Sequence, residues 1–196
     1  MCISPTNSSE IVCGGTQPQM VVVNTHTGSV VRQVDSLSNL LFLRKTPRLV
    51  ASGAADGLVR FHDPRAGLKT EQSFSAHLGG LTGLETAGWN VMTMGYTVKQ
   101  GHPLPDPMVN IYDVRTFRPL PPVSFAPGPA FVLTHPKNPS SLVVASAQGM
   151  FQTTDINKPG EAGFHQVGLS SSTPVRSEVW VRADLGPLVD RSSSST

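Results

Sequence analysis

The chain has 196 residues, enough for one domain with a buried interior, or one domain and a tail. Only 14% of them are charged and the formal net charge is +2, which excludes the strongly basic surface that grips nucleic acid through its phosphates. The 18 glycines and 17 prolines exceed ordinary usage and favour short strands and turns over helices.

Residues 1–10 (MCISPTNSSE) read as an N-terminal extension. They lack the basic start and apolar core of a signal peptide. Cys2 and Cys13 make no CxxC pair and no disulfide ladder, so a reducing, cytoplasmic setting is expected and the Asn7-Ser8-Ser9 sequon is expected to be idle. No run approaches the roughly 18 apolar residues of a membrane helix, and direct membrane binding is not expected.

From residue 11 the chain repeats itself. Strand-like runs end in Asn or Asp at 20–24 (MVVVN), 59–63 (VRFHD), 109–113 (VNIYD) and 151–155 (FQTTD). Their last residues are 39, 50 and 42 positions apart. A second run precedes each one, at 11–15, 49–53, 91–95 and 142–146. A third stands ahead of three of these, at 39–43, 81–85 and 131–135, and a fourth follows Asp63 and Asp113. Units of four short strands recurring about every 40 residues have the period of WD40 propellers. The expected fold is therefore all-β: a partial WD40 β-propeller over 11–157, with units around 11–34, 39–75, 81–125 and 131–156 as four-stranded antiparallel blades. Residues 158–196 are expected to be an irregular or disordered Ser-rich tail, with one strand-like run at 178–182.

The unit at 49–67 (LVASGAADGLVRFHDPRAG) is the clearest. Asp56-Gly57 supplies a tight hairpin, since Gly adopts positive φ at no steric cost. Phe61 stands where such repeats often carry Trp. In a well-formed unit of this kind a His before the first strand, a Ser in the second and an Asp in the hairpin hydrogen-bond across the blade. Ser52 and Asp56 fit two of these roles, but the preceding turn (QVDSLSN) has no His. His77 fits the role in the next unit, where no simple Asp-Gly hairpin follows. The six histidines read as structural, because no metal-binding or nucleophile spacing connects them.

One turn is swollen. From Gly53 to Asp63 is 10 positions; from Gly95 to Asp113 is 18, and the extra eight fall between the second and third strands. Pro103, Pro105 and Pro107 are expected to stiffen this loop. A stiff projecting loop is a contact surface, and Tyr96, Lys99, His102, Pro103, Pro105, Asp106 and Pro107 are its candidate partner-contact residues.

The stretch 91–123 (VMTMGYTVKQGHPLPDPMVNIYDVRTFRPLPPV) resembles the WD40 region of the catalytic subunit of the Pan deadenylase, the poly(A)-specific ribonuclease. The likeness rests on Thr93, Gly95, Tyr96, Gly101, Asp106, Pro107, Val109, Tyr112, Asp113, Arg115, Pro119 and Leu120, and flanking segments extend it to about 11–157. The resemblance implies a non-catalytic scaffold that assembles with a pseudokinase-like deadenylase subunit and acts on mRNA coated by poly(A)-binding protein. The family's metal-dependent exonuclease lies in a later domain. No Asp-x-Glu motif of that nuclease class occurs here, so no enzyme activity, metal or cofactor is expected. The family's propeller has seven blades, so the resemblance also implies a truncated product. An alternative reading is a WD40 adaptor or substrate receptor of a cullin-type ubiquitin ligase. It rests on Asp63-Pro64-Arg65 and Asp113-Val114-Arg115, a strand ending that such receptors carry.

Overall fold

The computed structural model describes residues 1–36 and 38–166. The run at 178–182 and the Ser-rich end lie outside the described residues. Every regular element described is a strand, and all pairings are antiparallel.

The strands form four successive sheets. Blade 1 contains β1 (Cys2–Ile3), β2 (Glu10–Gly14), β3 (Gln19–Asn24) and β4 (Val30–Asp35). Blade 2 contains β5 (Leu40–Lys45), β6 (Val50–Ala54), β7 (Leu58–Asp63) and β8 (Lys69–Ser75). Blade 3 contains β9 (Gly80–Ala87), β10 (Asn90–Lys99), β11 (His102–Pro105), β12 (Met108–Asp113) and β13 (Arg118–Ser124). Blade 4 contains β14 (Phe131–His135), β15 (Asn138–Ala145), β16 (Met150–Asp155) and β17 (Lys158–Gln166).

The sequence boundaries need two corrections. Residues 1–10 are no mere extension: β1 pairs with β2, Cys2 opposite Val12, and supplies the first strand of blade 1. The tail does not begin at 158: β17 pairs along β16, from Asp155 opposite Lys158 to Met150 opposite Gln166. KPGEAGFHQ has weak strand propensity. Pairing decides the matter, because without β17 the outer edge of β16 would present a row of unpaired backbone groups.

Side chains alternate across each sheet, so each blade has two faces. Val12, Met20 and Val22 of blade 1 meet Leu40, Leu43, Val50 and Ala54 of blade 2. The other face of blade 2, with Ala51, Val59 and Phe61, meets Leu81, Leu84 and Val91 of blade 3. The far face of blade 3, with Met92, Met94, Val109 and Ile111, meets Val132, Leu142 and Val144 of blade 4. Three apolar layers thus alternate with four sheets. Phe61 is fully buried, and its ring lies 5.8 Å from Phe74 and 5.4 Å from Phe117, while Tyr112 of blade 3 closes on Phe74 at 4.0 Å. Near the first strands, Arg44 of blade 2 donates from Nε and Nη2 to the Glu85 carboxylate of blade 3 at 3.1 and 2.8 Å.

Blade 2 organises its buried polar groups around a residue that the repeat pattern did not single out. His62 on β7 reaches Ser52 Oγ on β6 through Nε2 (2.8 Å) and Thr70 Oγ1 on β8 through Nδ1 (3.2 Å). Asp56 instead accepts the Leu58 N–H (3.0 Å) and pairs with Arg60 (3.0 Å), which also donates to Ser38 Oγ. Ser52 and Asp56 are therefore structural but do not share one network.

Burial pushes the His62 pKa down to about 4; a hydrogen bond to the Leu68 backbone opposes the shift and repulsion from Arg60 adds to it. The unfolded chain then takes up a proton at His62 below its ordinary value of 6.5, which the folded chain refuses until about pH 4. The stability supplied by neutral His62 is complete above that ordinary value. It is lost as pH falls through the window, by on the order of 3 kcal/mol at the bottom. Urea unfolding near pH 7.5 and pH 4.5 should show this loss, and His62→Gln should flatten the dependence within that window.

Candidate functional site

The swollen turn is a hairpin arm. β10 runs on past the blade to Lys99, and β11 returns beside it with Tyr96 opposite Pro105, Thr97 opposite Leu104, Val98 opposite Pro103 and Lys99 opposite His102. The tip is the two-residue turn Gln100-Gly101. Both residues have positive φ, 52° and 79°, as the tight hairpin turn that matches strand twist requires. The expectation of a proline-stiffened loop is corrected: most of the inserted residues are strand. The prolines fit because Lys99 and His102 close the turn as a hydrogen-bonded pair, so positions 103 and 105 turn their backbone away from β10. No N–H is needed there, and the missing donors blunt an open strand edge.

Below the arm the register slips. Thr93 faces Asn110, but Tyr96 faces Pro105, so Met94 and Gly95 oppose the four residues 106–109. The slip brings Asp106 to the buried ring of His77. His77 Nδ1 lies 2.6 Å from Asp106 Oδ2, and Nε2 lies 3.1 Å from Thr93 Oγ1. A carboxylate can only accept, so Nδ1 carries the proton, and in the neutral ring Nε2 accepts from the Thr93 hydroxyl. The Asp106 N–H donates to Gly95 O at 3.0 Å, and the Phe125 N–H donates to Pro107 O at 2.8 Å. A Cβ on Gly95 would collide with the His77 ring and the Gly80 carbonyl, so the glycine is required by close approach. Blade 3 therefore does possess the hairpin Asp that it seemed to lack. It sits at the foot of the returning strand, 11 residues beyond Gly95.

This divides the seven candidate contact residues. Asp106 faces inward to His77, and Pro107 belongs to the same foot, so these two anchor the arm. Tyr96 is half-buried, its ring packed where a Cβ on Gly79 would lie 2.7 Å away. Lys99, His102, Pro103 and Pro105 are exposed along the arm. Residue choice alone missed three exposed apolar side chains: Val98 at 56%, Leu104 at 46% and, at the foot, Met108 at 43% exposure. Pairing the two strands across the Gln100-Gly101 turn would have revealed Val98 and Leu104. Tyr96, Pro105, Val98 and Pro103 share one face of the arm, and Thr97, Leu104, Lys99 and His102 share the other.

The two Asp-x-Arg endings are local. Arg115 folds back on its own strand and grips Asp113 with Nε at 3.0 Å and Nη2 at 2.7 Å, which holds that carboxyl below its usual range. Asp63 accepts the Arg65 backbone N–H at 2.8 Å. Among the described residues no group of three or more His, Cys, Asp or Glu side chains could hold a metal ion, and no helix is long and apolar enough to cross a membrane.

Residues 2–168 match the family described as PAN2 N-terminal. This chain belongs to the PAN2 N-terminal family. The PAN2-PAN3 deadenylation complex catalytic subunit PAN2 of Cryptococcus neoformans (strain JEC21) is 46% identical over 175 residues, 87% of this chain. The subunit of the same description from Schizosaccharomyces pombe is 30% identical over 165 residues, 84% of the chain. In both cases the match spans 15% of the relative's length. The Neurospora crassa Pan2 WD40 domain superposes with a TM-score of 0.76 at 24% identity, over 85% of this chain and 52% of that one. The likeness places the four blades in the WD40 fold. The region matched is the N-terminal WD40 region, so the catalytic role named for the PAN2 relatives is not a property of this chain. The match lends nothing to the ubiquitin-ligase reading, and of its two arginines Arg115 is engaged by the Asp113 of its own blade.

In this PAN2 N-terminal region the Asp106–His77 bond should be the arm's anchor. Asp106→Ala strands the buried Nδ1–H and is expected to cost about 1–3 kcal/mol in urea unfolding. It should also raise amide exchange from Thr97 to Leu104 while leaving blades 1 and 2 protected. Equal loss of protection in all four blades would refute the anchoring role.

Proposed function

We propose that this chain is a non-catalytic scaffold in the shortening of mRNA poly(A) tails, and that the arm of blade 3 is its protein-contact surface. The reading joins the family membership to one structural observation. The arm is fixed at its foot by Asp106 and His77, yet it carries Val98 and Leu104 into solvent. A rigid scaffold with exposed apolar side chains loses little conformational freedom on binding, which favours association through the arm. Its prolines leave the edge short of donors, so recognition runs through side chains rather than by strand addition. The proposed partners are the pseudokinase-like subunit of the deadenylase and mRNA coated by poly(A)-binding protein, in the cytoplasm. Direct binding of RNA by charge is not part of the proposal, because the net charge of +2 offers no basic surface.

Capture from a cytoplasmic extract tests this. The wild-type chain should retain the deadenylase partner subunit or poly(A)-binding protein. The double variant Val98→Glu, Leu104→Glu should retain at least about tenfold less, as expected when an apolar anchor is replaced by charge. Its thermal unfolding should be unchanged, since both side chains are exposed. Capture of a cullin-ligase adaptor, or capture indifferent to the arm, would overturn the assignment.

A further inference from the structure

Two neighbouring junctions are built from equivalent positions and filled differently. Between blades 2 and 3, four rings close the gap: Phe61 and Phe74 from blade 2, Tyr112 and Phe117 from blade 3. The strand registers give their counterparts between blades 1 and 2. Phe61 stands two residues before the end of β7, as Val22 stands before the end of β3. Phe74 faces Val59 across β7 and β8, as Val34 faces Met20 across β3 and β4. Tyr112 faces Val91, as His62 faces Val50. Phe117 and Leu68 each hold a positive φ, 54° and 65°, just before the last strand of their blade. Every counterpart is smaller. A cavity of about 150 Å³ lies between blades 1 and 2, and Val34, His62 and Leu68 all line it, beside Met20 and Leu40. Apolar cavities of that size bind benzene.

We infer that this cavity is a docking pocket for one phenylalanine side chain of a protein partner, with the ring inside and the peptide backbone across the mouth. The junction of blades 2 and 3 shows that benzyl rings suit these positions, and the His62 ring supplies an aromatic wall. A tyrosine suits the pocket less. It would bring in a hydroxyl where the inner polar groups are already engaged, His62 by Ser52 and Thr70, and Arg60 by Asp56 and Ser38. The mouth is polar: Asp35, Lys69 and Thr70 line it and are exposed. Lys69 makes no ion pair among the described residues, and Asp35 accepts from the Gln19 side chain at 3.3 Å. A backbone N–H of the partner can donate to Asp35, and a backbone carbonyl can accept from Lys69. The opposite charges of these two residues suit a neutral peptide unit. Both walls belong to blades 1 and 2, so the inference is independent of the arm and of its proposed partners.

Amide NMR titration of the 196-residue chain with N-acetylphenylalanine amide tests this. Saturable shifts are expected at Met20, Val34, Leu68 and Lys69. Toluene, the bare side chain, should shift the interior residues more weakly, and N-acetylalanine amide should shift none. Val34→Phe and Leu68→Phe each supply from within a ring of the neighbouring junction. Each should abolish the shifts with a thermal midpoint no lower than that of the wild type. The double variant Asp35→Asn, Lys69→Met should weaken the capped amino acid at least about threefold and leave toluene unchanged, as loss of hydrogen bonds at the mouth requires. The absence of saturable shifts overturns the inference, as do shifts that persist in both filled variants. So does tighter binding of free phenylalanine than of the capped form, which would mark a site for a small zwitterion, or binding of toluene alone, which would mark a closed void.

Discussion

The burial of both faces of the two interior sheets, blades 2 and 3, is the constraint on which this structure depends. A four-stranded antiparallel sheet with apolar residues on one face can leave the other to water, and its strands then alternate apolar and polar. Blade 2 does not do this: all five residues of β6, Val50–Ala54, are buried. Such a sheet cannot stand alone, because each apolar face needs a neighbouring blade. The same demand sets the residue size at individual points of contact. A Cβ on Gly53 would lie 2.9 Å from Leu81 of blade 3, whereas Phe61, farther out, fills the gap with Phe74 and Phe117.

A hairpin can be lengthened in such an assembly only if the blade below keeps its internal ties. Blade 3 meets that condition through the register slip. Had β10 and its return strand simply been extended in register, position 106 would have fallen on the arm and His77 would have lost its acceptor. The two extra residues opposite Met94 and Gly95 hold Asp106 at the foot while the strands continue to Lys99 and His102. A slip that bends a strand and re-aims a side chain is the usual work of a bulge. Here it lets one segment serve stability at its base and offer a surface at its tip.

The blades were legible in the sequence wherever alternation and turn chemistry agreed. The endings at Asn24, Asp63, Asp113 and Asp155, and the Asp56-Gly57 hairpin, have local causes, and the structure has strands or a turn at each of them. What could not be read has non-local causes. β11 contains two prolines in four residues, which local propensity rejects; only the closing pair Lys99–His102 shows that both prolines face away from the ladder. β17 and β1 are weak or very short strands that exist because β16 and β2 offer them an edge. His62 looked like one more residue of a third strand. Its role appears only once Ser52 and Thr70 stand on either side of it. Of the arm's residues, the polar and ring-bearing ones were conspicuous in the sequence, while Val98 and Leu104 were hidden in an ordinary-looking strand.

Comparison of the blades shows how far the buried polar pattern is free to vary. Blades 2 and 3 both bury a hydroxyl on the second strand, Ser52 and Thr93, and both satisfy it with an imidazole. In blade 3 the ring comes from ahead of the first strand; in blade 2 it comes from the third strand of the same sheet. The requirement is that the hydroxyl be satisfied, and the source of the partner is secondary. Blade 4 marks the limit. Gln152 Oε1 and Thr154 Oγ1 are buried without a hydrogen-bond partner among the described residues, and each such atom costs about 1–3 kcal/mol. Both side chains stand opposite Val144 and Leu142, on the face that packs against blade 3, so the orphaned atoms are enclosed by the same apolar layer that ties blade 4 to its neighbour.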